Sequence, residues 1–436
     1  MKEQTSYHDI ITKVIEIYDK NPHKANEILS EKIFTDLNKS PFQAVCQFIF
    51  LTHLRNNFLI NTVISKLVAK KPKNKLLYAL KGAIAEILIS DVKKFPKVIH
   101  SWVNFAKKAF SKNEANFLNA VLRKIPTTIE DIKKSEDLSV VYSFPNWLIK
   151  RWIKFFGSEK TLEILKISNT PSEVFFRKSY AENADKIFKE FEEFFKPSQF
   201  ENFYILKSGS WQNVKDILKT KYFYIQDPST SFAVKKLEPK VNGAYLDLCA
   251  SPGGKSRFIA DLIELDAIKN NKTDELKNSI LVSVDLPKRI EKLKENLQKI
   301  DFINYKVLEC DLIEENLTQK LKSENLPELF DGVFIDAPCS NTGVLRRRPD
   351  ARYRIKETDI YACKDIQAKF IKKYSKYVKI GGRFVFSTCS IDFEENEKNA
   401  ETFLKENPNF TIEESKTYLP SLENDGCGVF VFKRHS

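Results

Sequence analysis

The sequence predicts a multidomain chain in three parts: an all-α domain over residues 1–140, a small α+β linker subdomain over 141–236, and a doubly wound α/β domain over 237–436. Three observations carry that division. The 436 residues exceed one ordinary domain and suit two or three. Glycine is nearly absent early, with Gly82 alone between Tyr7 and Ile132, whereas nine of the twelve glycines lie beyond Leu237. The apolar period also changes, from three- and four-residue spacing in the first part to short β-rich runs alternating with helical stretches in the last.

The first part shows helical spacing in Ile10-Ile11-Val14-Ile15-Ile17 and Phe117-Leu118-Val121-Leu122-Ile125, broken at Asn21-Pro22, Ser40-Pro41, Lys71-Pro72 and Phe95-Pro96. These breaks predict several short helices. The second part opens with Phe144-Pro145-Asn146-Trp147, predicts a helix near Trp147 to Phe156, and then mixes strand-like pieces such as Val174-Phe175-Phe176-Arg177 with helices. In the third part strands are expected at Ala244–Cys249, Ile280–Asp285, Tyr305–Cys310, Gly332–Asp336 and Arg383–Thr388, with final strands at Phe410–Glu413 and Gly428–Phe432. Helices are expected near Ser256–Leu265, Lys288–Gln298, Ile360–Val378 and Glu394–Asn407. Such alternation predicts a mainly parallel sheet, whose ligands bind at the carboxyl ends of its strands.

Composition excludes several classes. At 42% apolar and 30% charged residues, the chain has enough apolar matter for a core and enough charge for solubility. Its most apolar segment, Phe42 to Leu54, is short and holds Gln43, Gln47 and His53, so no membrane span is expected. The N-terminus has no apolar stretch behind its basic residue and does not read as a signal peptide. Seven cysteines without a CxxC pair point to free thiols and a cytoplasmic location. The five histidines do not combine with them at zinc-ligand spacing, so no metal is expected.

Charge is uneven along the chain. Residues 1–140 hold 23 Lys+Arg against 14 Asp+Glu, a net of +9; the remainder holds 71 − 23 = 48 against 58 − 14 = 44, a net of +4. Between Asp36 and Glu86 there is no acid, but Lys39, Arg55, Lys66, Lys70, Lys71, Lys73, Lys75 and Lys81 all occur. A lysine-rich solvated surface would account for the lysines. It would not remove the acids from one block, and a polyanion-binding face accounts for both.

The first strand of the α/β part runs into Cys249-Ala250-Ser251-Pro252-Gly253-Gly254-Lys255-Ser256. Adjacent glycines allow close backbone approach to a ligand, and the next helix offers free N–H groups. Three nucleotide-site readings compete. A phosphate loop fits Gly254-Lys255-Ser256 but finds Cys249 where its first glycine belongs, and the GxGxxG dinucleotide pattern is absent. The third reading is a nucleoside ligand without pyrophosphate, such as S-adenosylmethionine. Acidic residues at the following strand ends favour it: Asp285 for ribose hydroxyls, Asp311 for an adenine amino group, and Asp336. Any one of them alone is commonly a helix cap or turn residue.

Two further strands end in Asp336-Ala337-Pro338-Cys339-Ser340 and Ser387-Thr388-Cys389-Ser390. A lone buried cysteine is usually a small apolar residue, but two at a ligand-binding edge suggest chemistry. No histidine lies between His100 and His435, so a Cys-His hydrolase has no base here. Methylation of cytosine at carbon 5 needs none. A thiolate adding to carbon 6 makes carbon 5 nucleophilic, a carboxylic acid at nitrogen 3 offsets the ring charge, and a second thiol assists product release. Asp336, Cys339 and Cys389 supply these parts.

At these residues the chain resembles the Sun/Fmu family of RNA cytosine-5 methyltransferases. The matching segments are DLCASPGGKS (247–256), VDLPKR (284–289), FIDAPCSNTGVLRRRPD (334–350), STCSIDFEENE (387–397) and DGCGVFVFKR (425–434). The resemblance implies a Rossmann-like class I methyltransferase with Cys389 as nucleophile, Cys339 in product release and Asp336 as the acid. It also implies S-adenosyl-L-methionine held by Cys249, Ala250, Ser251, Pro252, Gly253, Gly254, Lys255, Asp285, Asp311 and Asp336. The segment ANFLNAVLRKI (115–125) is similar to the signature helix of NusB-type RNA-binding domains, and YIQDPSTSFAV (224–234) also fits the family. Joined to such a domain, the catalytic half implies a monomer acting on 16S ribosomal RNA, with no membrane and no metal. Ser251 and Asn341 depart from the family, which has alanine and a smaller residue there. Arg346, Arg347 and Arg348, just past the Cys339 loop, are expected to grip phosphates beside an extruded base, although a solvated charge run has the same look. A tRNA methyltransferase and a non-catalytic RNA-binding assembly factor are the alternatives.

Overall fold

The computed structural model describes residues 6–20, 28, 42–72 and 74–436. The expected breaks at Asn21-Pro22 and Ser40-Pro41, together with Lys39 and Lys73 of the basic stretch, lie outside the described residues. Two units are present: Met1–Thr170 with Leu345–Ile355, and Pro171–Val344 with Lys356–Ser436. No helix among the described residues is long and apolar enough to cross a membrane.

The first unit is helical. Its helix Lys112–Lys133 starts with a capping box, in which Ser111 accepts the Glu114 amide and Glu114 accepts the Ser111 amide. One face buries Ala115, Leu118, Val121, Leu122, Ile125, Ile129 and Ile132, the stripe that three- and four-residue spacing dictates. Helices Tyr7–Lys20, Gln43–Arg55, Asn57–Leu67, Asn74–Ile89 and Phe95–Ala109 close the core around Trp102 and Ile11. They approach so closely that a Cβ on Gly82 would lie 2.9 Å from both residues. The helix expected near Trp147 runs Asn146–Ser168, interrupted at Gly157 with φ 79°. Because Ser143, Phe144, Leu148 and Trp152 are buried, and Ser143 Oγ accepts the Leu59 amide at 3.1 Å, this unit continues past residue 140 to Thr170.

The segment Leu345–Ile355 also belongs to this unit, so the stretch 237–436 is not one uninterrupted domain. Arg352 is the reason. Its fully buried guanidinium lies 3.9 Å over the Phe144 ring and donates to Asn169 Oδ1 at 2.6 Å, the Ser168 carbonyl at 3.0 Å and the Leu345 carbonyl at 3.2 Å. Tyr353 donates its hydroxyl to the Leu54 carbonyl at 2.7 Å, and Arg55 donates to the Arg346 carbonyl at 3.2 Å. A buried guanidinium is tolerable only with such a set of acceptors.

The second unit opens with a small sheet of β1 (Phe175–Lys178), β2 (Phe195–Pro197), β3 (Phe203–Leu206) and β4 (Phe223–Ile225), in the order β2-β3-β1-β4 and antiparallel throughout. Phe176, Phe188, Phe195 and Phe223 fill its core. The expected 141–236 subdomain is therefore divided, with its helical start in the first unit and its strands in the second.

The main sheet contains β5 (Ala244–Leu248), β6 (Ile280–Asp285), β7 (Asn304–Glu309), β8 (Phe330–Asp336), β9 (Val378–Thr388), β10 (Phe410–Tyr418) and β11 (Cys427–Arg434). Its order is β10-β11-β9-β8-β5-β6-β7, with β11 antiparallel to both neighbours and the remaining pairs parallel. Leu246, Val282, Val333 and Ile335 pack on one face, and Tyr245, Leu281, Phe334 and Val385 on the other. Both faces are covered, as a parallel sheet requires. From β5 the chain winds one way through β6 and β7, then returns to β8 and β9. This puts the topological switch point between β5 and β8, where such sheets bind ligands.

Candidate active site

The turn after β5 is built around its backbone. Cys249 takes φ 60°, the Gly253 amide donates to the Ala250 carbonyl at 2.7 Å, and Gly253 with φ 104° leads into helix Gly254–Lys269. Only glycine adopts that last conformation without strain. The carboxylate of Asp285 at the end of β6 accepts the Ser251 and Leu286 amides, each at 2.7 Å. From the other side Gln226 Nε2 donates to the Gly254 carbonyl at 3.0 Å, and Gln226 Oε1 accepts from Arg177 Nε at 2.6 Å. Arg177 in turn meets Asp261 at 2.5 Å. Gln226 and Arg177 escaped the sequence reading. Nothing local in the run 224–234 tells that a strand-end glutamine braces a glycine loop.

Within β5, beneath this loop, Asp247 is wholly buried. Ser256 donates its hydroxyl to Oδ2, Ser283 donates to Ser256 at 3.0 Å, and Oδ1 has no hydrogen-bond partner. Burial pushes the carboxyl up to about 7, against the opposing pull of the Ser256 bond. Lys255 reaches Asp336 at the end of β8, with Nζ to Oδ2 at 2.5 Å. Burial works against the ammonium, but the Asp336 carboxylate outweighs it and lifts Lys255 above its ordinary range. Asp311 caps its own turn, accepting the Ile313 amide at 2.9 Å.

These residues discriminate among the three ligand readings. A phosphate here would face the carboxylates of Asp285 and Asp336, and the lysine that should neutralise it is already paired. Hydrogen-bond acceptors at the ends of neighbouring strands, beside a close-approach turn, suit the hydroxyls and amino group of a nucleoside. The donor set therefore fits S-adenosylmethionine.

Cys339 and Cys389 meet at the ends of β8 and β9. Their sulfurs are 2.8 Å apart and both thiols are free; a disulfide would bring them to about 2.0 Å. Cys389 Sγ donates to Asn341 Oδ1 at 3.3 Å, and Asn341 Nδ2 donates to the Cys339 carbonyl at 2.9 Å. The contact with Cys389, followed by burial, pushes the Cys339 thiol well above its ordinary range, so Cys339 keeps its proton. The two loops also share backbone bonds. The Gly343 amide donates to the Cys389 carbonyl at 3.0 Å, and Gly426 donates to the Gly343 carbonyl at 2.8 Å. A Cβ on Gly343 would fall 2.2 Å from the Gly426 oxygen.

Not every basic residue expected at an anion-binding face is exposed. Arg346 is 5% exposed in the segment that packs with the helices, so it does not present its charge to phosphates; Arg347 is half-buried and Arg348 exposed. In the acid-free block, Arg55 and Lys81 are buried too, Lys81 against Asp19, whereas Lys66, Lys70, Lys71 and Lys75 are exposed. A side chain needed to satisfy interior carbonyls or acids looks the same in sequence as one turned to solvent.

The family described as 16S rRNA methyltransferase RsmB/F matches residues 234–429, and the NusB family matches residues 9–126. The chain is 28% identical over 425 residues to the probable ribosomal RNA small subunit methyltransferase B of Bacillus subtilis strain 168, covering 94% of this chain and 90% of that protein. It is 25% identical over 419 residues to the ribosomal RNA small subunit methyltransferase B of Enterobacter sp. strain 638, covering 93% and 92%. The crystal structure of PH0851 matches with a TM-score of 0.72 at 21% identity over 100% of both chains. NSun6 from Pyrococcus horikoshii with SFG matches with a TM-score of 0.55 at 18% identity, over 67% of this chain and 99% of that one. These two structural likenesses show the fold alone.

Proposed function

We propose that the chain is an S-adenosylmethionine-dependent enzyme that methylates carbon 5 of a cytosine in 16S ribosomal RNA through a covalent Cys389–cytosine adduct; the matches of residues 234–429 to the 16S rRNA methyltransferase RsmB/F family and of residues 9–126 to the NusB family support this reading. The observation that carries this reading is the pair of free thiols, 2.8 Å apart at neighbouring strand ends, in the same sheet edge as the Lys255–Asp336 ion pair.

Residues Cys249 to Lys255, with Asp285, Asp311 and Asp336, would hold the cofactor, which when bound supplies a methyl group on a positively charged sulfur. Cys389 gives its thiol proton to solvent and adds as the thiolate to carbon 6 of the cytosine, and the displaced ring electron pair makes carbon 5 nucleophilic. At nitrogen 3 Asp336 acts as the acid: a proton passed from the Lys255 ammonium along their ion pair lets its carboxyl group donate to the ring nitrogen as negative charge develops there. Once carbon 5 bears the methyl group, its proton is lost to solvent, the electrons of that carbon–hydrogen bond restore the ring double bond, and the carbon–sulfur bond at carbon 6 breaks with its pair leaving on the Cys389 sulfur. Cys339 assists this second half. One chain carries every part, so a monomer suffices, and free thiols suit a reducing cytoplasm.

Methyl transfer from labelled cofactor to small-subunit RNA tests the reading, with transfer RNA as the competing substrate. Cys389→Ala should lower transfer by about four orders of magnitude. Full activity in that variant would remove Cys389 from its role, and preference for transfer RNA would overturn the substrate.

A further inference from the structure

Ser340 and Ser390 are the residues directly after Cys339 and Cys389, and both bond to one carboxylate. Glu395 is 0% exposed and lies beyond both turns, just before helix Glu397–Glu406. Its Oε1 accepts the hydroxyls of Ser340 and Ser390, the latter at 2.7 Å. Its Oε2 accepts the Ser340 amide and Gln367 Nε2, both at 2.9 Å. Gln367, on helix Glu357–Tyr374, also donates to the Pro338 carbonyl at 2.9 Å and so grips the cysteine loop on its other side. Four donors, two on each oxygen, complete the pattern that a carboxylate takes up and oppose the burial that raises the Glu395 carboxyl above its ordinary range. Next in sequence, Asn396 donates to the Ser390 carbonyl at 2.9 Å and fixes the far end of the Cys389 turn.

A buried acid costs stability unless it is fully bonded, and a serine pair alone could have joined these loops. Ser340 and Ser390 already lie 3.2 Å apart, hydroxyl to hydroxyl. Hydroxyls rotate and exchange donor and acceptor roles, whereas a carboxylate accepts only. With Glu395 at the centre, both serines are held as donors and the turns carrying the two sulfurs keep one separation.

We infer that Glu395 is a positioning residue: it sets the distance between the Cys339 and Cys389 thiols and thereby couples the release step to the nucleophile. The coupling rests on the function proposed above, whereas the spacing does not.

Two readouts on the full-length chain separate them. In the first, the resting protein is treated with diamide, which takes two electrons and two protons from the thiol pair and leaves a Cys339–Cys389 disulfide, quantified by peptide mass mapping. Glu395→Gln places an amide NH2 against groups that must donate, and should slow this bridging by roughly tenfold or more. In the second, a single turnover on small-subunit RNA is followed by gel. Glu395→Gln should leave cofactor affinity unchanged while the covalent adduct persists, as it would in Cys339→Ala. A merely structural role would lower cofactor affinity and the yield of adduct together, without prolonging its life. Unchanged bridging in Glu395→Gln would overturn the inference. Slowed bridging with normal adduct decay would uphold the spacing role and remove Cys339 from release. If Glu395→Gln does not fold, Ser390→Ala and Ser340→Ala decide, since each cuts one arm only; unchanged bridging in both would overturn the inference.

Discussion

Replacing Asp247 with Asn should change how stability depends on pH. In the unfolded chain this carboxyl ionises near its ordinary 3.8, whereas burial in β5 pushes it to about 7 in the folded protein. Below pH 3.8 both states hold the proton, and the contribution to stability is complete. As pH rises from there, the unfolded chain releases its proton and the folded chain does not, so folding is progressively disfavoured. Above about 7 both states are ionised and the loss is full. Three pKa units at about 1.4 kcal/mol each make that loss about 4 kcal/mol. Asn cannot titrate, so relative to wild type the variant should gain about 4 kcal/mol between pH 4 and pH 8, whatever its offset at pH 4. Urea unfolding at several pH values, followed through the β-sheet circular dichroism signal, measures the difference. A gap that stays constant over this range would show that the carboxyl ionises at its ordinary value, and the argument from burial and the unpartnered Oδ1 would fail. Removing the Ser256 hydroxyl should move the midpoint of the curve upward, because that bond is what favours the charged form.

Cys339→Ala should leave a stalled covalent RNA adduct, seen as a shifted gel band; no shifted band would count against its part in release. Gly343→Ala should cost about 2 kcal/mol and uncouple the cysteine loops, since the new methyl must displace the Gly426 carbonyl. Thermal unfolding and methyl-transfer rate check it together, and an unchanged rate would refute the need for that approach. Arg352→Ala should destabilise the helical unit by about 3 kcal/mol, because the Ser168 and Leu345 carbonyls lose their buried donor. Far-UV circular dichroism on heating would report it.

Where side-chain period and burial agree, the fold was legible. The strand expected at Ile280–Asp285 is β6 with the same ends, because a parallel strand covered on both faces reads as a mostly apolar run, here interrupted only by Ser283 before its closing Asp285. The two cysteine loops were legible for a different reason, since their residue types are rare and chemically constrained. Misses arise where the deciding partner is distant in sequence. β10 continues to Tyr418, well past the expected Glu413, because its polar residues face outward and pairing with β11 alone holds them extended. Helix Leu317–Ser323 offers only Leu317 and Leu321 as apolar anchors and went unread. The arginine run reads as a phosphate grip because nothing in the sequence marks the packing that buries Arg346 in this segment.

The return of Leu345–Ile355 to the helices has a practical corollary for anyone dividing this protein. A gene cut after codon 170 would encode helices deprived of Arg352 and Tyr353, leaving a hollow where eleven residues from much later in translation should lodge. Made alone, the early half lacks the donor that satisfies the Ser168 carbonyl and should be less stable than the same helices in the full chain. Supplying the missing peptide in trans, or grafting it by a linker after Thr170, should restore what the truncation loses.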